Sequence, residues 1–241
     1  MDHDPLPGGR WRTTTAIKQL ILSRGLQPGD PMPTESELVA TTGVSRSKLR
    51  EAVRTLTALD ILEVRHGTGT FVGEMSMRPL VEGMVFRGVL AAGADTTMLR
   101  EVVEVRTGLD IGLGPRIVER LAGGDDAELR ACVRAMTHAA ARGVGFTDED
   151  RTFHLTLGER LGNTLYGEIV AAFWDIHMSV APRLGLAGAR DLTDTALAHE
   201  RMLDAAIAGD LDAYREAVID HYAPIRRVLA QHDKTPTTKQ T

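Results

Sequence analysis

From Arg12 to Gly25 the apolar residues Ile17, Leu20 and Ile21 recur at helical spacing and the run stops at a glycine, which predicts a first helix. Gln27-Pro28-Gly29-Asp30 then turns the chain. Thr34, with Glu37 three residues on, has the spacing of a capping box and opens a second helix that ends at the turn Gly43-Val44. In SRSKLREAVRTLTAL, Ser45 to Leu59, the residues Leu49, Ala52, Val53, Leu56 and Leu59 form one apolar stripe and predict a third helix. The period then changes, and Ile61 to Arg65 and Thr70 to Val72 read as two short strands around His66-Gly67-Thr68-Gly69.

Beyond Val72 strand-like runs vanish and nearly every segment has helical period. Helices are predicted near 80–92, 96–121, 126–142, 147–161, 164–181, 192–208 and 211–231. Asp125, Asn163, Thr193 and Asp210 suit caps or first turns, and Gly143, Gly162 and Gly209 suit stops. Pro115, at the end of Gly112-Leu113-Gly114-Pro115, is expected to kink or interrupt its helix. The pattern predicts a mainly α chain with a helical unit carrying one β-hairpin over 10–72 and a linker at 73–79. An all-α antiparallel bundle of about seven helices over 80–231 and a disordered tail over 232–241 complete it, and Met1 to Gly9 is expected to be loose.

Charge sharpens this division. The chain of 241 residues carries a net charge of −5, yet residues 10–72 hold nine Lys or Arg against six Asp or Glu, a balance of +3. A net positive balance is found only in the first unit, the rest of the chain summing to −8, as suits local contact with nucleic acid. Cys132 is the single cysteine, so no disulfide framework within the chain is possible, and it reads as a small core residue. The N-terminus lacks the basic flank and apolar run of a signal peptide, and no stretch is apolar for eighteen residues, so a soluble cytoplasmic protein with no membrane partner is expected.

The third helix is the piece suited to the major groove of DNA. Ser45, Arg46, Ser47 and Lys48 occupy its first turn, and Arg50 and Arg54 follow Arg46 at four-residue steps on one side. An ordinary solvated face is the alternative reading of the same charges. The order and spacing of Pro28-Gly29, Met32-Pro33-Thr34-Glu35-Ser36-Glu37-Leu38, Gly43-Val44-Ser45-Arg46, Leu49-Arg50-Glu51-Ala52 and His66-Gly67-Thr68-Gly69-Thr70-Phe71-Val72 resemble the winged helix-turn-helix of the GntR family of bacterial regulators. The resemblance implies that Ser45, Arg46, Lys48 and Arg50 meet bases and phosphates of double-stranded DNA and that His66 and Gly67 stand at the wing tip. Arg46 suits bidentate reading of guanine, and Lys48 a phosphate. Ser36 departs from the family, where many relatives carry an arginine.

In the second unit Asp150 and His154 lie one helical turn apart. His199 and His221 flank the turn at Gly209-Asp210 in helices that each place them roughly 15–17 Å from it, so an antiparallel pair brings them level. Three imidazoles and a carboxylate suit a divalent transition ion such as zinc, nickel or manganese, and ordinary hydrogen-bonded histidines are the alternative. His138, His177 and His232 are read only in that second way.

Asp150-x-x-Phe153-His154, Gly162-Asn163 with Leu165, His199 followed by Ala205-Ala206-Ile207 and Gly209-Asp210, and Ala217 with His221 look like the FCD domain of the FadR branch of that family. The resemblance implies a metal at Asp150, His154, His199 and His221, with an organic-acid effector beside it. Arg106 matches a pocket arginine able to clamp a carboxylate, with a surface arginine on an amphipathic helix as the alternative, and Asn163 is either a further effector contact or only a cap. The expectation is a homodimeric regulator, a repressor on a palindromic operator, released by a small carboxylate. A regulator that senses the metal itself and a metal-dependent enzyme fused to a DNA-binding unit are the alternatives, the latter disfavoured because no spare nucleophile or general base accompanies the ligands.

Overall fold

The computed structural model describes residues 9–91, 96–181 and 192–232. The expected loose start over 1–8 and tail over 233–241 lie outside them. Ten helices and two strands are formed by the described residues, and the chain divides into two compact units, Met1–Pro79 and Leu80–Thr241.

In the first unit α1 (Gly9–Arg24), α2 (Glu35–Thr42) and α3 (Arg46–Ala58) precede an antiparallel hairpin of β1 (Leu62–Arg65) and β2 (Gly69–Val72). Thr34 caps α2 through the expected box, its hydroxyl accepting from the Glu37 amide while the Glu37 carboxylate accepts from the Thr34 amide at 2.8 Å. Gly43 ends α2 in the left-handed region, which its lack of a Cβ permits. Ile17, Leu38, Leu49, Ala52 and Leu56 from the helices, with Leu62 and Val72 from the strands, make the core. Leu49, Ala52 and Leu56 of the expected stripe are therefore spent inward while the polar side of α3 faces solvent; Leu59, just past the end of the helix, is exposed instead of buried. Residues 29–32 flank β2, with Gly29 donating to the Val72 carbonyl at 2.9 Å and Met32 to that of Thr70 at 2.8 Å.

The segment after the hairpin is held by Asp60. Its carboxylate accepts from the Ser76 amide at 3.0 Å, the Ser76 hydroxyl at 2.6 Å and the Arg78 guanidinium at 2.6 Å.

The second unit is all helix among its described residues: α4 (Arg78–Ala91, opening in the first unit), α5 (Thr97–Leu121), α6 (Ala127–Ala141), α7 (Thr147–Leu161), α8 (Thr164–Val180), α9 (Leu192–Ala208) and α10 (Leu211–His232). Asp126, Asn163 and Asp210 accept from first-turn amides of α6, α8 and α10, and Gly143, Gly162 and Gly209 adopt positive φ at helix ends. The cap of α6 is thus one residue beyond the expected Asp125. Helix α5 contacts α7, α8, α9 and α10, around a core that includes Leu99, Met136, Phe153, Val170 and Tyr214.

One expectation is corrected. Pro115 does not interrupt its helix, since α5 continues from Thr97 to Leu121 with Pro115 inside it. The local cost of proline, about 3 kcal/mol, is outweighed by packing on four neighbouring helices. Gly114 beside it has a structural use, since a Cβ there would stand 3.1 Å from the ring of buried Tyr214.

Candidate metal centre and nucleic-acid surface

Asp150 and His154 come from α7, His199 from α9 and His221 from α10, and a ligand atom from each lies within 4.8 Å of the others. The three imidazoles present Nε2 inward. His154 Nε2 stands 3.2 Å from His221 Nε2 and 3.3 Å from Asp150 Oδ1, and His199 Nε2 stands 3.1 Å from the same oxygen. Nitrogen and oxygen ligands of one ion, bound at about 2.0–2.2 Å, stand about 3–3.5 Å from each other. The spacings fit a shared divalent ion, and the donor set suits one of borderline softness.

The surroundings prepare the set. The Thr195 carbonyl accepts from His199 Nδ1 at 2.8 Å, which turns the Nε2 lone pair toward Asp150. Burial, with the Arg106 charge adding to it, pushes His154 below its usual range, and burial with the neighbouring imidazoles pushes His221 well below. Both therefore stay neutral near pH 7, with lone pairs free to coordinate. Burial works against the charge of Asp150, yet His199 and His154 hold its carboxyl well below the usual carboxylate range.

A cavity of about 400 Å³ opens beside the cluster. Arg106, Asp150, His154 and His221 line it, together with His177, which sequence reasoning left as an ordinary histidine. Arg106 is 5% exposed. Its Nε donates to Asp110 Oδ1 at 3.3 Å, and its buried Nη2 has no hydrogen-bond partner among the described residues. Burial opposes the guanidinium charge, but Asp110 keeps it firmly protonated. Asp110 is itself buried and accepts from the hydroxyls of Tyr166 at 2.8 Å and Tyr222 at 2.7 Å. These three residues were missed from sequence, although Asp110 follows Arg106 at the same four-residue step that links Asp150 and His154. Asn163 lies off the cavity wall, where its Oδ1 accepts from the Tyr166 amide at 3.1 Å as the cap of α8. Capping accounts for that residue.

In the first unit Ser45, Arg46, Ser47, Lys48, Arg50 and Arg54 are all exposed on α3 or just before it. Ser45 and Ser47 hydroxyls are 3.2 Å apart. Arg50 is already engaged, its Nε and Nη2 donating to the two oxygens of Glu35 at 2.9 and 3.2 Å. No ion pair among the described residues engages Arg46, Lys48 or Arg54. His66 and Gly67 are exposed in the turn between β1 and β2, and at the base of that turn the Arg65 guanidinium lies 4.1 Å from the Phe71 ring centre.

Residues 12–72 match the gntR family of bacterial regulatory proteins and residues 101–224 match the FCD domain family. The "Putative transcriptional regulatory protein NedR" of Micromonospora viridifaciens is 42% identical over 105 residues, covering 44% of this chain and 75% of its own. The galactonate operon transcriptional repressor of Escherichia coli is 24% identical over 217 residues, 90% of this chain and 94% of its own. Among solved structures, a Streptococcus agalactiae GntR protein superposes with a TM-score of 0.61 at 27% identity, over 90% of this chain and 99% of that one.

Proposed function

The chain belongs to the GntR family of bacterial regulatory proteins and carries an FCD domain, so it is a DNA-binding transcriptional regulator, and we propose that it is a repressor released by a small organic acid bound at a divalent metal in the second unit. The observation that carries this reading is Arg106 Nη2, a buried donor without a partner among the described residues, on the wall of the cavity that Asp150, His154 and His221 also line. A guanidinium so placed is a clamp for carboxylate. Asp110, Tyr166 and Tyr222 hold it in position. Asp150, His154, His199 and His221 would hold the ion, zinc, nickel or manganese, which supplies a Lewis-acid site for the oxygens of the same acid.

On the DNA side, Arg46 makes no ion pair among the described residues and suits a guanine edge, while Lys48 and Arg54 suit phosphates, with His66 and Gly67 of the wing at the minor groove. The engagement of Arg50 by Glu35 supports a framing role that braces α3 on α2. A homodimer would match two recognition helices to two half-sites of a palindrome. Phe86 and Leu90, one turn apart on α4 and 63% and 71% exposed, offer an apolar face to a second copy. Release is linkage: an acid that prefers the arrangement unable to bind DNA lowers operator affinity by its differential affinity for the two arrangements. The relatives are regulators by name, one of them of a sugar-acid operon, which supports an acid effector and disfavours a catalytic role.

The test starts with small acids screened for thermal stabilisation of the zinc-loaded protein, where saturation at 100 times the dissociation constant adds about 2.7 kcal/mol. A stabilising acid should release operator DNA from the parent, and Arg106→Lys should need more of it because an ammonium keeps the charge but not the fork. Arg106→Ala is the poorer variant, since stripping one partner from a buried ion pair costs about 3–5 kcal/mol of stability. Identical release by Arg106→Lys and the parent would remove Arg106 from the effector site.

A further inference from the structure

We infer that the acid is a monocarboxylate with an apolar aliphatic or aromatic body of about ten non-hydrogen atoms, and not a hydroxy acid, sugar acid or dicarboxylate; this rests on the cavity being the effector site. The proposal comes from the way charge and polarity are distributed over the cavity wall.

Helices α5 and α10 run antiparallel, because Tyr222 bonds to Asp110 while Arg226, a turn later, bonds to Thr107, nearly a turn earlier. One turn beyond Arg106 toward the start of α5 stand Val102 and Val103, and beyond His221 along α10 stand Ile225 and Val228. The cavity therefore continues from the charged cluster between aliphatic walls. Phe173 and Trp174 of α8 add aromatic surface. A chain leaving the carboxylate in this direction meets carbon on carbon.

Among the described residues, polar partners for such a chain are few. Apart from the cluster and Arg106, the wall has the side chains of Thr147, His177 and Thr195, the Trp174 indole, and Tyr222, whose hydroxyl is already given to Asp110. Each hydroxyl of a sugar acid left without a partner there would weaken binding by roughly tenfold. Size points the same way. At about 30 Å³ for each water-sized group, the cavity of about 400 Å³ accommodates about thirteen non-hydrogen atoms, and a carboxylate uses three of them. A two- or three-carbon acid would leave most of it to water against apolar walls.

Charge fixes the number of carboxylates. Arg106 and Asp110 neutralise each other as a buried pair. A divalent ion with Asp150 and three neutral imidazoles carries one net positive charge, which one carboxylate balances. Among the described residues, a second carboxylate on the aliphatic walls would meet no permanent counter-charge, at high cost.

The experiment is calorimetric titration of the zinc-loaded full-length protein with butanoate, hexanoate, octanoate and 3-phenylpropanoate, against lactate, galactonate and octanedioate. Affinity should rise about threefold to fourfold per methylene along the straight-chain series. Octanoate should exceed galactonate and octanedioate by at least about tenfold. Ile225→Thr, which puts a hydroxyl on the apolar wall, should weaken octanoate several-fold more than butanoate. A flat series, or tighter binding of lactate, galactonate or octanedioate than of octanoate, overturns the inference. If that tighter ligand is weakened by Arg106→Lys, the effector site stands and only the chemical class falls. Octanoate binding untouched by both Arg106→Lys and Ile225→Thr overturns the inference and removes the cavity as the site.

Discussion

His199 and His221 face each other with ring centres 4.4 Å apart although they belong to different helices, because α9 and α10 pack as an antiparallel pair about the turn at Gly209. Their Nε2 atoms complete a set with Asp150 and His154 that holds one ion per chain in the proposed reading. Metal analysis of purified protein should find about one transition ion per chain, and His199→Ala or His221→Ala should lose most of it, since three remaining ligands form an incomplete shell. His138→Ala, on the exposed side of α6, should keep the metal. Full occupancy in both ligand variants would reject the site.

The two ligand pairs were legible for a simple reason. One is set by helical period and the other by equal distance from a glycine turn, and both are local rules. The helices were legible likewise, through periodicity and caps. Asp110 was not, because its meaning depends on Tyr166 from α8 and Tyr222 from α10, whose arrival is decided by packing. His177 could not be separated from other lone histidines until α8 brought it to the cavity. The interruption expected at Pro115 did not occur because the local penalty was set against nothing, whereas α5 is packed on four helices. On the DNA side the exposed charges were legible, but the Glu35 partner that engages Arg50 was not.

That partner separates the arginines of α3. Arg46→Ala should cost about 1–3 kcal/mol in operator binding and relax preference at one base pair, whereas Lys48→Ala should weaken all sequences alike and flatten the salt dependence. Arg50→Ala and Glu35→Ala should resemble each other, because each breaks the same brace between α2 and α3. Competition binding over single-base operator variants measures all four. Parental behaviour of both Arg46→Ala and Lys48→Ala would remove α3 from the groove, and a base-specific loss in Arg50→Ala alone would make Arg50 the reader.

Acid should reveal the Asp60 clasp. The Ser76 hydroxyl lowers the Asp60 pKa and burial raises it, and with the Ser76 amide and Arg78 the net effect holds the carboxyl below its ordinary 3.8. A carboxyl depressed in the folded state stabilises it fully above the unfolded value, and that contribution is lost as pH falls through the folded value. Asp60→Asn should therefore be less stable than the parent at neutral pH, with the difference closing below about pH 3.8. Asparagine tolerates the positive φ of 57° at this position, so the backbone adds no strain. Thermal unfolding across pH measures it; a gap that persists unchanged in acid would mean that the carboxylate contributes nothing through its charge.

Gly73 makes the last test, where the clasped segment leaves β2. A Cβ on this residue would stand 2.3 Å from the backbone carbonyl oxygen of Asp60, and no side-chain rotation can relieve a clash with backbone. The Gly73 amide donates to the Ile61 carbonyl at 2.9 Å, and the Met75 amide donates to that same Asp60 carbonyl oxygen at 2.8 Å. Gly73→Ala must push the chain away from β1 and so strain both bonds, a cost of about 1–3 kcal/mol by the scale of overpacked sites. Because the damage lies in the first unit, operator affinity should fall for all sequences alike while metal content in the second unit is unchanged. Gly83→Ala is the control: nothing lies within 4 Å of a Cβ there, and in the middle of α4 alanine should gain up to about 1 kcal/mol. Differential scanning calorimetry with parallel operator binding distinguishes the two, and a Gly73→Ala protein as stable as the parent would show that the close approach to Asp60 is not needed to hold the hairpin.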